Sequence, residues 1–189
     1  MPEFVEFPKI ARYSREVIIT EKIDGTNAQI FIDTDNTIYA GSRTRWIAPG
    51  CDHMGFAKWV EAHKDELLTL GPGRHFGEWW GQGIQRGYGL KEKRLSLFNV
   101  TRWCLYGQEP QELPSGKKQD ILPPCVGLVP ELGRCTMDEF EAPFWMNYLL
   151  VHGSFAAPFM DPEGIVVYHT AGNICFMKTY DNDEYGKGQ

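Results

Sequence analysis

An α+β fold, with antiparallel strands dominant and two main helices packed against them, is what this sequence predicts. Three observations carry the prediction. Short β-branched or alternating stretches recur from residue 17 to residue 180, most of them separated by clusters of turn residues. Only two segments, 54–70 and the stretch after residue 139, carry helical signals. The 189 residues contain no internal repeat and no low-complexity linker. One domain over 1–189 is therefore expected, with no room beyond the last strand for a C-terminal accessory domain.

The elements follow in order. Residues 17–23, VIITEKI, are β-branched and read as a strand. NAQIFID alternates, with Ala28, Ile30 and Ile32 on one face. DTDN is a turn and TIYAGS a returning strand. In residues 54–70 the spacing of Phe56, Val60, Leu67 and Leu68 predicts one helix, stopped by GPG at 71–73. HFGEWW (75–80) and RLSLFNVTRW (94–103) each read as a strand. TMDE at 136–139 has the spacing of a capping box, so a helix is predicted from there to about residue 152, with Pro143 disturbing its early part. EGIVVYH (163–169) and NICFMKTY (173–180) are the last two strands, joined by the turn TAGN.

Composition narrows the function. Hydrophobic residues make up 42% and charged residues 23%, ordinary for a globular chain. No apolar run approaches the ~20 residues of a membrane span, and MPEFVEFPKI lacks the basic and apolar regions of a secretory signal. Five cysteines with no C-x-x-C pair argue against a disulfide framework and fit a reducing cytoplasm. CDH at 51–53 has no matching second pair, so no metal site is expected there. The net charge of −6 disfavours non-specific gripping of long nucleic acid. It leaves open a site for nucleic-acid ends served by local clusters, Arg43 with Arg45, or Arg86 with Lys91, Lys93 and Arg94; solvated loops explain the second cluster equally well.

The segment EKIDGTN (21–27) raises a chemical question, because Lys22 precedes an Asp24-Gly25 turn. Alone, K-x-D-G arises by chance in roughly a few per cent of chains this long. Later segments add what a reactive lysine needs. GSRTR (41–45) brings two arginines after a strand. FGEWWG (76–81) places Glu78 beside a glycine-rich loop. SLFNV (96–100) offers Phe98 within an apolar strand. EGIVVY (163–168) opens a strand with Glu163, and FMKTY (176–180) sets Lys178 in an apolar strand. Each has a bland alternative, such as core packing for Phe98 or snorkelling for Lys178. Their order and spacing together are hard to assign to chance.

The set resembles the covalent nucleotidyltransferase superfamily of polynucleotide ligases and mRNA capping enzymes, over about residues 17–180. EKIDGTN is especially similar to the RNA ligase 2 type, which joins RNA ends using ATP. The resemblance implies the ligase and capping-enzyme nucleotidyltransferase fold, ATP-grasp-like, with ATP and Mg2+ or Mn2+ as cofactors. It implies a partner RNA or other polynucleotide with 5′-phosphate and 3′-hydroxyl ends, and a role in RNA repair. By the same resemblance Lys22 attacks the ATP α-phosphate to give lysyl-AMP. Lys178 contacts that phosphate and Glu163 helps bind the metal. Phe98 stacks on the base and Glu78 contacts the ribose. Glu21, Ile23 and Asn27 lie where the nucleotide is read, and Arg43 or Arg45, with Arg43 favoured, approaches ribose and phosphates. Asp24 is expected to hold the loop rather than touch metal. Gly25 is expected to permit a sharp turn or a close pass to the ligand.

One departure is local. The family's last motif commonly spaces two basic residues K-x-K, whereas Phe176 and Tyr180 flank Lys178 here; Lys187 is a weak substitute. Weak, salt-sensitive binding to nucleic acid is expected. A DNA ligase or a GTP-using capping enzyme keeps the covalent lysine and changes the task. A non-catalytic nucleotide- or partner-binding protein on the same fold is the remaining alternative.

Overall fold

A computed structural model describes residues 2–52 and 54–181. Its strands form two main sheets. The four-stranded sheet has the order β10 (Glu131–Thr136), β1 (Glu16–Lys22), β11 (Gly164–His169), β12 (Ile174–Thr179), all antiparallel. The six-stranded sheet has the order β4 (Trp46–Ile47), β3 (Ile38–Gly41), β2 (Thr26–Ile32), β5 (Gly73–Gly81), β6 (Lys93–Leu97), β9 (Val126–Leu128). Only its β6–β9 pair is parallel. A small parallel pair, β7 (Trp103–Cys104) and β8 (Asp120–Ile121), lies apart from both.

Three apolar clusters order the layers. Ala28, Ile30 and Ile32 of β2, with Trp79 and Leu95, pack against Phe56, Val60 and Leu67 from the helices α1 (Phe56–Ala62) and α2 (Lys64–Leu67). Val17 and Ile19 of β1, with Ile165 and Val167 of β11, pack against Met146 and Leu149 of α3 (Ala142–His152). Ile18, Ile23, Trp80, Tyr88 and Val129 form the third cluster, where the sheets meet. The period-2 alternation of β2 buries Ala28, Ile30 and Ile32 on the helix side, which turns Asn27, Gln29 and Phe31 to the other face.

The α+β class, the antiparallel strands at 16–22, 26–32, 38–41 and 73–81, and the final hairpin agree with the expectation. Four details differ. The helix predicted over 54–70 breaks at His63, where φ is −110° and ψ 18°, and ends in a 3-10 turn at Leu68–Leu70. The His63 ring lies 2.9 Å from the Trp59 carbonyl oxygen and stacks on the Trp59 ring at 4.7 Å. The strand predicted over 94–103 ends at Leu97, because the Asn99 side chain accepts the Arg102 N–H at 3.0 Å and closes a local turn. Phe98 therefore sits on a bend just outside the strand.

The capping-box contact forms, with Glu139 Oε2 accepting from the Thr136 N–H at 3.1 Å and from its hydroxyl at 2.8 Å. It closes the end of β10 instead of starting a helix; α3 begins at Ala142 with Pro143 in its first turn. A proline there withholds an N–H the helix does not use, so it disturbs nothing. β10 was not anticipated, since its residues ELGRCT are only partly covered and form an edge strand.

The layer order predicts an asymmetry along α3. Leu149→Ala, at a position 0% exposed, is expected to cost about 2–5 kcal/mol in denaturant unfolding. Leu150→Ala, at a position 58% exposed, is expected to stay within about 0.5 kcal/mol.

Candidate active site

β1 belongs to one sheet and β2 to the other, so Ile23, Asp24 and Gly25 carry the chain between them. Lys22 ends β1 opposite Gly164. Thr26 and Asn27 begin β2 opposite Trp79 and Glu78. This crossing brings together residues from distant parts of the sequence. The Lys22 Nζ lies 2.5 Å from Glu163 Oε2, with the two side chains 20% and 8% exposed.

The crossing is held from several sides. The Asp24 N–H donates to the Tyr88 hydroxyl at 2.8 Å. Arg86 Nε donates to Asp24 Oδ2 at 3.2 Å, while its other nitrogens reach Asp161 Oδ2 at 2.5 Å and Asp181 Oδ2 at 2.8 Å. One guanidinium thus ties the Lys22 turn to the segment before β11 and to the end of β12. Tyr88 is buried, meets the Trp80 ring edge-on at 5.0 Å and has a left-handed backbone, φ 53°. Such a conformation persists only when the surroundings fix it. Gly25 serves close packing: a Cβ there would meet the Trp79 carbonyl oxygen at 2.6 Å and Trp80 Cβ at 2.8 Å. The close approach at this glycine is to strand β5, where the expectation was a sharp turn or a pass to the ligand. Ile23 is buried in the cluster between the sheets, so only its backbone remains for a ligand.

Two further carboxyls lie beside Lys22 on the sequence or the sheet. Burial pushes Glu78 up to about 7; the charges of Glu163 and Asp24 push the same way, and Lys22 and the Gly25 backbone pull it partly back. Asn27 Nδ2 stands 3.5 Å from Glu78 Oε2. Glu21 is held above the usual carboxylate range by burial, against hydrogen bonds from Ser154, Phe155 and Ala156. Its Oε2 accepts the Phe155 N–H at 2.7 Å and the Ala156 N–H at 3.2 Å, and its buried Oε1 has no hydrogen-bond partner among the described residues. Glu21 therefore fastens the loop after α3 and keeps one oxygen in reserve.

The remaining expected residues stand at varying distances. Lys178 lies on β12 opposite Ile165, while Lys22 is in register with Gly164 and Thr179. The two lysines are thus on strands separated by β11 and offset by one residue, roughly 10 Å apart across the sheet backbone. Phe98 is 41% exposed, and its N–H donates to the Phe76 carbonyl at 3.0 Å. Arg43 and Arg45 are both exposed on the turn between β3 and β4. Lys187 lies outside the described residues. Sequence reasoning passed over Tyr88 and Asp161 and took Arg86 only as part of a basic cluster, for nucleic-acid ends or for solvent. The only sequence cue was Arg86 and Tyr88 inside a glycine-rich loop next to Glu78.

Among the described residues no group of three or more His, Cys, Asp or Glu side chains is placed to hold a metal ion by itself. Glu163 alone would suit a hard divalent ion that takes its other oxygens from phosphates and water.

Glu78 gives the site a pH signature. An unfolded glutamate loses its proton near its ordinary value of 4.5, and the folded one near 7. Between those values the folded chain binds more protons, so stability falls as pH rises, by up to roughly 3 kcal/mol. Glu78→Gln removes this dependence. Thermal unfolding is expected to show the variant gaining on the wild type from pH 4.5 to 7, and parallel curves would contradict the burial of an ionisable Glu78.

Residues 15–180 match the family model described as RNA ligase. No curated protein matches the chain. Among solved structures the fold is similar to variants of a Naegleria gruberi RNA ligase. One solved with ATP and manganese gives a TM-score of 0.56 at 18% identity, over 88% of this chain and 49% of that one. A second, also with ATP and manganese, gives 0.57 at 16% identity, over 89% and 51%. The same enzyme with pyrophosphate gives 0.54 at 16% identity, over 95% and 57%. The chain spans about half the length of these structures. The structures share the fold, and the family match extends across the crossing at Lys22, Glu163 and β12: the chain belongs to the RNA ligase family.

Proposed function

We propose that this chain is the nucleotidyltransferase domain of an ATP-dependent RNA ligase with Lys22 as its nucleophile. The observation that carries the proposal is the Lys22 amine held 2.5 Å from Glu163 at the crossing between sheets. The family match supports RNA ends as substrate, and the solved relatives with ATP support ATP as the nucleotide.

The reaction has three displacements at phosphorus. The Lys22 Nζ bonds to the ATP α-phosphorus, the bond to the bridging oxygen breaks, and pyrophosphate leaves with that electron pair. A 5′-phosphate oxygen of RNA then displaces Lys22 and takes the adenylyl group. A 3′-hydroxyl attacks the activated 5′-phosphorus, and AMP leaves as the strand closes.

Attack needs a neutral amine, and an ordinary lysine with a pKa near 10.4 is protonated at pH 7. In the free chain the Lys22 amine is ion-paired with Glu163, and that contact must part before Nζ can approach a phosphorus atom. A magnesium or manganese ion bound by Glu163 and substrate phosphates would supply charge neutralisation at the α-phosphate. Lys178 would add a cation for the same developing charge. Glu78, beside Asn27, would contact the ribose, and Phe98, an exposed ring, would stack on the base. Arg43 fits phosphate or ribose through its planar fork. The Glu21 Oε1 and the backbone at Ile23 remain as polar groups for the edge of adenine.

Covalent labelling tests the proposal. With α-labelled ATP and a divalent cation, label is expected to survive denaturation in the wild type and to be absent in Lys22→Ala. Label from GTP alone would transfer the assignment to a capping-type reaction, and no label with any divalent cation would sink it. Phe98→Ala is expected to weaken ATP binding roughly five- to a hundredfold, by the worth of one base stack, and more than Lys22→Ala does. Equal or reversed effects would count against stacking at Phe98.

A further inference from the structure

The face of the six-stranded sheet turned away from α1 and α2 carries a cluster of rings that the nucleotide site does not use. Register orders it. On β2 and β5 the pairs Asn27 with Glu78, Gln29 with Phe76, and Phe31 with Arg74 follow one another away from Lys22. β3 and β4 extend the last rows with Tyr39 opposite Phe31, Gly41 opposite Gln29, and Trp46 opposite Gly41. The strip therefore begins at the proposed ribose site and ends at three aromatic rings. Four residues along a strand cover roughly 13 Å, room for about four bases stacked at 3.4 Å.

The rings form a surface. Phe31 and Tyr39 stack at 6.0 Å with 27° between planes, and Trp46 completes the group at 5.8 Å from Tyr39 and 6.2 Å from Phe31. Trp46 lies over the Gly41 backbone, where a Cβ would come within 3.0 Å of its ring. The Arg74 guanidinium stands 4.8 Å from the centre of Phe31 and 5.5 Å from that of Trp46. Tyr39 is 43% exposed and Trp46 48%; between them and the nucleotide site Phe76 is 53% exposed. Large rings left to water on one face mark a surface that meets something.

Charge selects the occupant. An apolar partner surface would leave Arg74 desolvated and unpaired, which is costly. The exposed Arg43 and Arg45 adjoin the rings on the β3–β4 turn, so cations gather here in a chain whose net charge is −6. Flat rings interleaved with guanidinium groups on an open sheet suit a ligand that is both planar and anionic. Continuity with the Lys22 site gives that ligand its direction.

We propose that Phe31, Tyr39 and Trp46, with Arg74, are a stacking platform for the unpaired nucleotides of an RNA strand whose end lies at Lys22. This assignment rests on the ligase reading above. It explains how an acidic domain holds a polyanion: stacking supplies the affinity that a broad basic surface would otherwise give.

The test is fluorescence anisotropy of a labelled single-stranded oligoribonucleotide, titrated with the full chain at several salt concentrations. Tyr39→Ala and Trp46→Ala are each expected to weaken binding about tenfold with the salt slope unchanged, and Trp46→Phe to restore most of the loss. Arg74→Gln is expected to lower the slope of log affinity against log salt by about 0.7, the share of one phosphate contact on a single strand. Adenylation without RNA reads the Lys22 site separately and serves as the folding control. Wild-type affinity in Tyr39→Ala, Trp46→Ala and Arg74→Gln while adenylation persists would overturn the platform and leave the ligase reading intact. Weakened RNA binding by a chain that never adenylates would keep the platform and overturn the ligase reading. A wild type that dimerises through Trp46, with RNA binding indifferent to it, would assign the face to a second copy and overturn the platform.

Discussion

Three residues carry the chain from one sheet to the other, and the whole site depends on that crossing being held. Ile23 is anchored in the cluster between the sheets, Asp24 is gripped by Tyr88 and Arg86, and Gly25 lies against β5 with no space for a side chain. Each grip uses a different kind of force: apolar burial, charge-assisted hydrogen bonding and close packing. With all three in place the Lys22 backbone is fixed by the β1–β11 ladder on one side and the turn on the other. On the proposed reading, a long flexible lysine then has only its outer torsions left to order when a phosphate arrives, which is how positioning lowers a barrier.

The electrostatics around the crossing are unfavourable in the free chain. Glu78 and Glu163 are both buried near one lysine, and their mutual repulsion contributes to the raised value of Glu78. Buried pairs of this kind contribute little net stability, because desolvation offsets most of the attraction. On the proposed reading, what they supply is a set of charges already in place for a ligand with charges of its own. Arg86 is different: it is shared among Asp24, Asp161 and Asp181 and fixes where the chain before β11 lies relative to the lysine turn. A site that holds like charges together needs such ties elsewhere in the fold.

Much of this was legible in the sequence because period and spacing are local properties. The alternation in NAQIFID set the faces of β2 correctly, and the order of the segments put Lys22 and Glu163 in one candidate site, where the structure finds them in contact. What escaped depends on side-chain contacts that no periodicity encodes, some between near neighbours and some with distant partners. His63 breaks a helix through its contact with Trp59, and Asn99 ends a strand through a side-chain bond to the Arg102 amide. Glu139 makes its expected bond to Thr136, but at the end of a strand that only β1 defines. Tyr88 and Arg86 looked like loop residues because their partner, Asp24, is more than sixty positions away. The ring cluster of Phe31, Tyr39 and Trp46 is invisible without the β2–β3–β4 register.

On the proposed readings the crossing supplies position and the ring-bearing face affinity, and both rest on Lys22 being the residue that receives the adenylyl group. The most direct measurement is where that group sits. After incubation with ATP and a divalent cation, the digested protein is read by tandem mass spectrometry. AMP on the peptide containing Lys22, and on no other lysine, is the predicted result. AMP on another residue, or none on protein shown to be folded, would contradict it.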